Sequence, residues 1–153
     1  MLRLLALGVA AALAFLGVAC STGGDGGAAT DQGLTRVAEA DGITVEATWL
    51  TEGSLRDEDA DLGRYSLEEF VLLEVKMDTH SGDLGAIDME GEASLSQGGA
   101  EQRPEAWVST SDDAHHRAGF LVFARVQDPG AAELILRIGD AELAFLWEAV
   151  PAT

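Results

Sequence analysis

The sequence predicts an all-β domain, an antiparallel, immunoglobulin-like sandwich of about seven strands. Three observations carry that expectation. Apolar residues recur at every second position rather than with the 3.6-residue period of a helix. Glycine and proline punctuate the chain at short intervals, at Gly53, Gly82, Gly98-Gly99, Pro104 and Pro129-Gly130. No long amphipathic helix and no internal repeat can be drawn through residues 34–150.

The strands follow in order. Ile43, Val45, Ala47 and Trp49 alternate with Thr44, Glu46 and Thr48, the pattern of a half-buried strand. Residues 66–70 suit one helical turn ahead of the next strand. There Val71, Leu73, Val75 and Met77 alternate with Leu72, Glu74 and Lys76. Weaker strands fit near residues 87–95 and 105–109. Phe120, Val122 and Ala124 line one side of a further strand, and Leu121 and Phe123 the other. Leu134, Leu136 and Ile138 lead into Gly139-Asp140, a hairpin turn, and Leu143, Phe145 and Trp147 return from it. Trp49, Trp107 and Trp147 are expected in the core, with an aromatic ligand platform as the alternative.

The first twenty residues read as an export signal. Met1-Leu2-Arg3 is a short positive start, and the sixteen residues from Leu4 to Ala19 carry no charge. The run ends in Leu16-Gly17-Val18-Ala19-Cys20, at the chain's one cysteine. This resembles a bacterial lipoprotein signal with its lipobox, departing from the pattern at Gly17, where Leu is usual. The resemblance implies removal of residues 1–19 and lipidation of Cys20, with acyl chains such as palmitate. It implies a protein anchored in the cell membrane and facing the periplasm or exterior. Each buried methylene adds about 0.8 kcal/mol, so several chains give a stable anchor. An uncleaved anchor helix, or an ordinary signal with an incidental cysteine, are the alternatives. Residues 20–33 hold five glycines and no Val, Ile, Leu or aromatic side chain, so a flexible linker is expected before the folded part.

Composition removes several function classes. The 153 residues carry 27 Asp and Glu against 9 Lys and Arg, a formal charge of −18. A nucleic-acid partner requires a basic face and is not expected. Electrostatic docking on an anionic membrane is disfavoured for the same reason. Hydrophobic residues make up 47% of the chain, too many for a disordered acidic tail. One cysteine allows neither an internal disulfide nor a cysteine-based zinc cluster.

All three histidines fall in two short segments, Asp78-Thr79-His80-Ser81-Gly82-Asp83 and Asp112-Asp113-Ala114-His115-His116-Arg117. The first closes one strand and the second opens another. Antiparallel pairing brings those ends together, and an unshifted register sets Thr79 against Arg117 and His80 against His116. Imidazoles at one rim would suit copper(II) or zinc, with His80, His115 and His116 as donors and Asp83 in reserve. His115 and His116 could both face one ion only if Ala114-His115 lies in a loop, because adjacent strand residues point to opposite faces. Two other readings stand beside it. Each histidine could cap a strand end and bond a nearby carboxylate, or the rim could respond to pH.

Asp57, Asp59 and Asp61 have the alternate spacing of a calcium loop, with Glu68 at the twelfth place. Leu62 stands where that loop needs glycine, and no strong helices flank it, so a solvated loop is the plainer expectation. No nucleophile elbow, phosphate loop or dinucleotide fingerprint is present. Ser81, His80 and Asp83 are too close in sequence to reach triad geometry. A catalytic role is therefore not expected.

The histidine segments, with Trp107 upstream and Gly119-Phe120-Leu121-Val122-Phe123 downstream, resemble an uncharacterised group of exported bacterial β-sandwich domains. Those carry a Thr-His-Ser segment and a later His-His segment. The resemblance covers residues 42–148 and supports the sandwich fold rather than any function. The functional expectation is a non-catalytic binding module that meets a protein partner, or a metal ion at the three-histidine rim.

Overall fold

The computed structural model describes residues 34–55, 62–127 and 130–150. The signal, Cys20 and the glycine-rich linker lie outside those residues, as do Asp57, Asp59 and Asp61. No helix among the described residues is long and apolar enough to cross a membrane.

The chain forms two antiparallel sheets, as the alternating pattern requires. Its strands are β1 (Thr35–Ala40), β2 (Ile43–Trp49), β3 (Phe70–Thr79), β4 (Ala93–Gln97), β5 (Ala100–Gln102), β6 (Ala106–Asp112), β7 (His116–Ala124), β8 (Ala132–Ile138) and β9 (Ala141–Trp147). One sheet runs β1-β2-β3-β7-β6 and the other β5-β4-β8-β9. The chain therefore lays down three strands in the first sheet and then alternates hairpins between the sheets.

Two of the nine strands among the described residues were not anticipated, and both are sheet edges. β1 is joined to β2 by Asp41-Gly42, whose φ angles are 52° and 76°. Two successive left-handed residues make the tight turn that matches strand twist. β5 has only three residues and follows the Gly98-Gly99 turn. A second departure lies in residues 87–95. A short helix, α1 (Met89–Glu92), occupies the first part, because the Asp88 carboxylate caps it by accepting the Gly91 N–H at 3.1 Å. Pairing begins only at Ala93. A one-turn helix over Glu52–Leu55 follows β2.

The core lies between the sheets. Val45, Ala47 and Trp49 of β2, Val71, Leu73, Val75 and Met77 of β3, and Leu121 and Phe123 of β7 face Ala93, Leu95, Leu134, Leu136, Phe145 and Trp147. Trp49 and Trp147 meet edge to face, with ring centroids 5.5 Å apart. Both are fully buried. Trp107 is only partly buried and packs against the core from the edge strand β6.

The other side of β3 and β7 is also apolar, and the reason is a second cluster. Leu50, Leu62, Leu67, Leu72, Phe120 and Val122 pack together outside the first sheet. Leu50, Leu62 and Leu67, which follow β2 in sequence, thus lie over the outer face of its own sheet. The anticipated turn at residues 66–70 is present, with Phe70 N–H donating to the Ser66 carbonyl at 2.8 Å. Tyr65 meets Phe70 edge to face at 5.3 Å. Leu62, which takes the glycine place of the calcium pattern, is a packing residue of this cluster.

Two positions allow stability to be tested. A Cβ on Gly119 would lie 2.5 Å from Trp107 Cζ2 and 2.5 Å from the Val108 carbonyl oxygen. Gly119→Ala is expected to destabilise the domain by about 1–3 kcal/mol through overpacking. Gln97 is 1% exposed in the core, and neither atom of its amide finds a hydrogen-bond partner. Gln97→Met, similar in shape and without those polar atoms, is expected to stabilise by about 1 kcal/mol. Urea unfolding measures both; a higher midpoint for Gly119→Ala or a lower one for Gln97→Met would contradict these assignments.

Candidate functional site

The two histidine segments do meet at one rim of the sandwich. β3 pairs with β7 antiparallel, but the register is displaced by two residues from the expected one. Met77 lies opposite Arg117, and Asp78 lies opposite His116. A shift of two keeps every side chain on its own face, so the core is unaffected while the rim contacts change. Thr79 provides the reason. Its hydroxyl donates to the Ser81 carbonyl at 2.7 Å and accepts the Ser81 N–H at 3.2 Å, which bends the chain just beyond the strand. The Gly42 carbonyl of the β1–β2 turn lies 3.3 Å from the same oxygen. His80 is therefore carried into the loop and does not pair with His116.

His116 bonds Asp78 instead, Nδ1 to Oδ1 at 2.5 Å. Both side chains are exposed, 71% and 62%. Ala114 and His115 lie in the turn between β6 and β7, as a shared ion would have needed. That turn is shaped by Asp113, whose Oδ1 accepts the His115 N–H at 2.8 Å and the His116 N–H at 3.1 Å. The same bonds hold the Asp113 carboxyl below its ordinary 3.8, the His115 amide acting most. The Asp78 bond raises His116 above its ordinary 6.5.

The other rim carboxylates also have internal partners. Asp83 caps a 3₁₀ turn, Leu84–Ala86, by accepting the Gly85 N–H at 2.9 Å. Asp112 faces Arg117 Nε at 3.4 Å, an ion-pair contact without hydrogen-bond geometry. Among the described residues no group of three or more His, Cys, Asp or Glu side chains could hold a metal ion. His80, His115, His116 and Asp83 therefore do not converge as a donor set among the described residues, and of the three imidazoles His116 is shown bonded to a carboxylate, that of Asp78.

A residue that the sequence reading did not single out organises this rim. Arg117 is 7% exposed and points between the sheets. Its Nη1 donates to the Leu84 carbonyl at 2.9 Å and to the Ile87 carbonyl at 2.6 Å. Its guanidinium lies over the Trp107 ring, 5.4 Å from the centroid. Trp107 can lie there because Gly119 has no side chain. Two backbone bonds complete the junction, Thr79 N–H to His115 O at 3.0 Å and Leu84 N–H to Ala114 O at 2.9 Å. A charged residue opening an otherwise apolar strand was the available signal.

The result is a fixed surface. The loop after β3 and the β6–β7 turn are joined by backbone bonds and held from beneath by a buried guanidinium. His80, His115 and His116 stand exposed upon it. Such a surface can donate and accept hydrogen bonds and can change charge near neutrality. No protein-family model, curated protein or solved structure matches the chain.

Two measurements test this geometry. Arg117→Met leaves the Ile87 carbonyl without its donor and the Leu84 carbonyl with only the Ile87 N–H, and should cost about 1–3 kcal/mol in urea unfolding; an unchanged midpoint would remove Arg117 from its central place. Titration with copper(II) or zinc should give weak, non-stoichiometric heat, equal in the wild type and in His80→Ala. A one-to-one isotherm abolished by His80→Ala would restore the metal reading.

Proposed function

We propose that this chain is a lipid-anchored, extracytoplasmic β-sandwich that acts as a non-catalytic binding module. Cys20 is its lipidated residue, residues 20–33 form the tether, and the rim of His80, His115 and His116 meets a protein partner. One observation supports the binding reading above all. The rim is pre-organised: Arg117 fixes the loop after β3 from within the core, and backbone bonds fix the β6–β7 turn against it. A surface ordered in advance loses little conformational entropy on binding. The anchor rests on the signal-like residues 1–20, where an apolar run ends at a single cysteine.

Two experiments test the proposal. Mass spectrometry of the membrane-extracted protein should find an acylated Cys20 as the first residue; an intact Met1 or an unmodified Cys20 refutes the anchor. A photo-crosslinking amino acid at position 80 should give a discrete adduct in native membranes, and one at position 133, on the outer face of the second sheet, should not. Equal labelling at both positions, or none at position 80, refutes the rim as the contact surface.

A further inference from the structure

We propose that the rim is a proton-operated clasp, in which His116 bridges two strands and ties the β6–β7 turn to the loop after β3 most firmly in mildly acidic surroundings. The inference goes beyond the binding reading and does not depend on it.

The geometry comes first. His116 and Asp78 are directly opposed on adjacent strands, so their side chains share one face. His116 is engaged at three points. Its ring bonds Asp78 at 2.5 Å, its N–H donates to Asp113, and its carbonyl accepts the Ser111 hydroxyl at 2.9 Å. It sits beside the junction at which Thr79 and Leu84 donate to the turn. Loosening one side chain therefore acts on a small set of bonds linking two loops.

The surrounding charges favour a protonated ring. Asp78 pairs with Thr44 and Thr44 with Glu39, so Glu39 and Asp78 share a cross-strand row with His116. Asp113 and His115 lie in the turn itself. Lys76, two residues before Asp78, is engaged by Glu74 at 2.6 Å. Arg117 faces inward, with Asp112 beside it. Asp78 and Asp113 are thus the carboxylates that act on His116, while Glu39 stands three strands away, and Lys76 and Arg117 already face carboxylates of their own.

The sign of the pH dependence follows. His116 is held above 6.5, mainly by its bond to Asp78. Its contribution is complete below 6.5 and is lost as pH rises through the raised value. Asp113 is held below 3.8, so its contribution is complete above 3.8 and is lost as pH falls through the depressed value. Both are present together between 3.8 and 6.5. Above that window a neutral ring can still donate from Nδ1, so the clasp slackens rather than breaks. Both groups are exposed, and the effect is local rather than global.

The test uses the full chain in detergent micelles and two nuclear magnetic resonance readouts. The His116 ring should titrate above 6.5 in the wild type and return toward 6.5 in Asp78→Asn. Hydrogen-exchange protection of the Thr79 and Leu84 amides, corrected for intrinsic exchange, should fall several-fold between pH 5.5 and pH 8. It should be flat in Asp78→Asn and in His116→Gln, with Val45 in the core unchanged throughout. The clasp is refuted if Asp78→Asn leaves the His116 titration unmoved, or if wild-type protection at Thr79 and Leu84 does not vary with pH. A parallel loss at Val45 would mean global unfolding and would refute it equally.

Discussion

A guanidinium that enters a protein core must find acceptors there, and much of this rim follows from that requirement. Arg117 opens β7 on its inward face, beside the apolar contacts of the two sheets. Water is largely excluded, so the backbone supplies the acceptors, the carbonyls of Leu84 and Ile87. Those carbonyls belong to the connection between the sheets, which is thereby drawn over the end of the sandwich. Trp107 covers the flat side of the cation, and Gly119 leaves the space that the indole needs. The exposed surface is thus shaped from beneath by a charge that solvent scarcely reaches.

The strands carrying the rim are unusually well supported. β3 and β7 are adjacent at the centre of their sheet and are buried on both faces over much of their length. One face meets the second sheet, and the other lies beneath Leu62 and Leu67. Strand ends that emerge from such a platform inherit its rigidity. Three side chains then set the rim's detail: Thr79 turns the chain, Asp83 starts the 3₁₀ turn and Asp113 closes the hairpin.

The sandwich and most of its strands were legible in the sequence, because alternation reports burial and burial is what a two-sheet core demands. The missed strand β1 was legible too, since Asp41-Gly42 is a strong hairpin signal and marks a strand on either side. The meeting of the two histidine segments was also readable, because strand order and direction decide it. The register was not, since a slip of two preserves the hydrophobic pattern and the contacts that distinguish the alternatives, at Thr79, Leu84 and His116, are polar and local. Nor could the sequence tell a cluster of donors from a set of caps. Asp83, the reserve ligand of the sequence, and Asp113, two residues before His115, each accept a backbone N–H instead. The calcium pattern at Asp57, Asp59 and Asp61 falls outside the described residues.

The bond from Trp147 Nε1 to the Leu34 carbonyl spans 113 positions at 2.7 Å, and Arg36 Nε reaches the Leu146 carbonyl beside it. Among the described strands, β1 is thus sealed by β9. While a ribosome is still making β9, Trp49 lacks its aromatic partner and the outer edge of β1 is uncovered. The first sheet and its outer cluster precede β8 in the chain, but the inner face of that sheet stays uncovered until β8 and β9 follow. The closing contacts of the core and of the β1 edge are thus among the most distant in sequence, so a shortened chain lacking β9 would lose both at once.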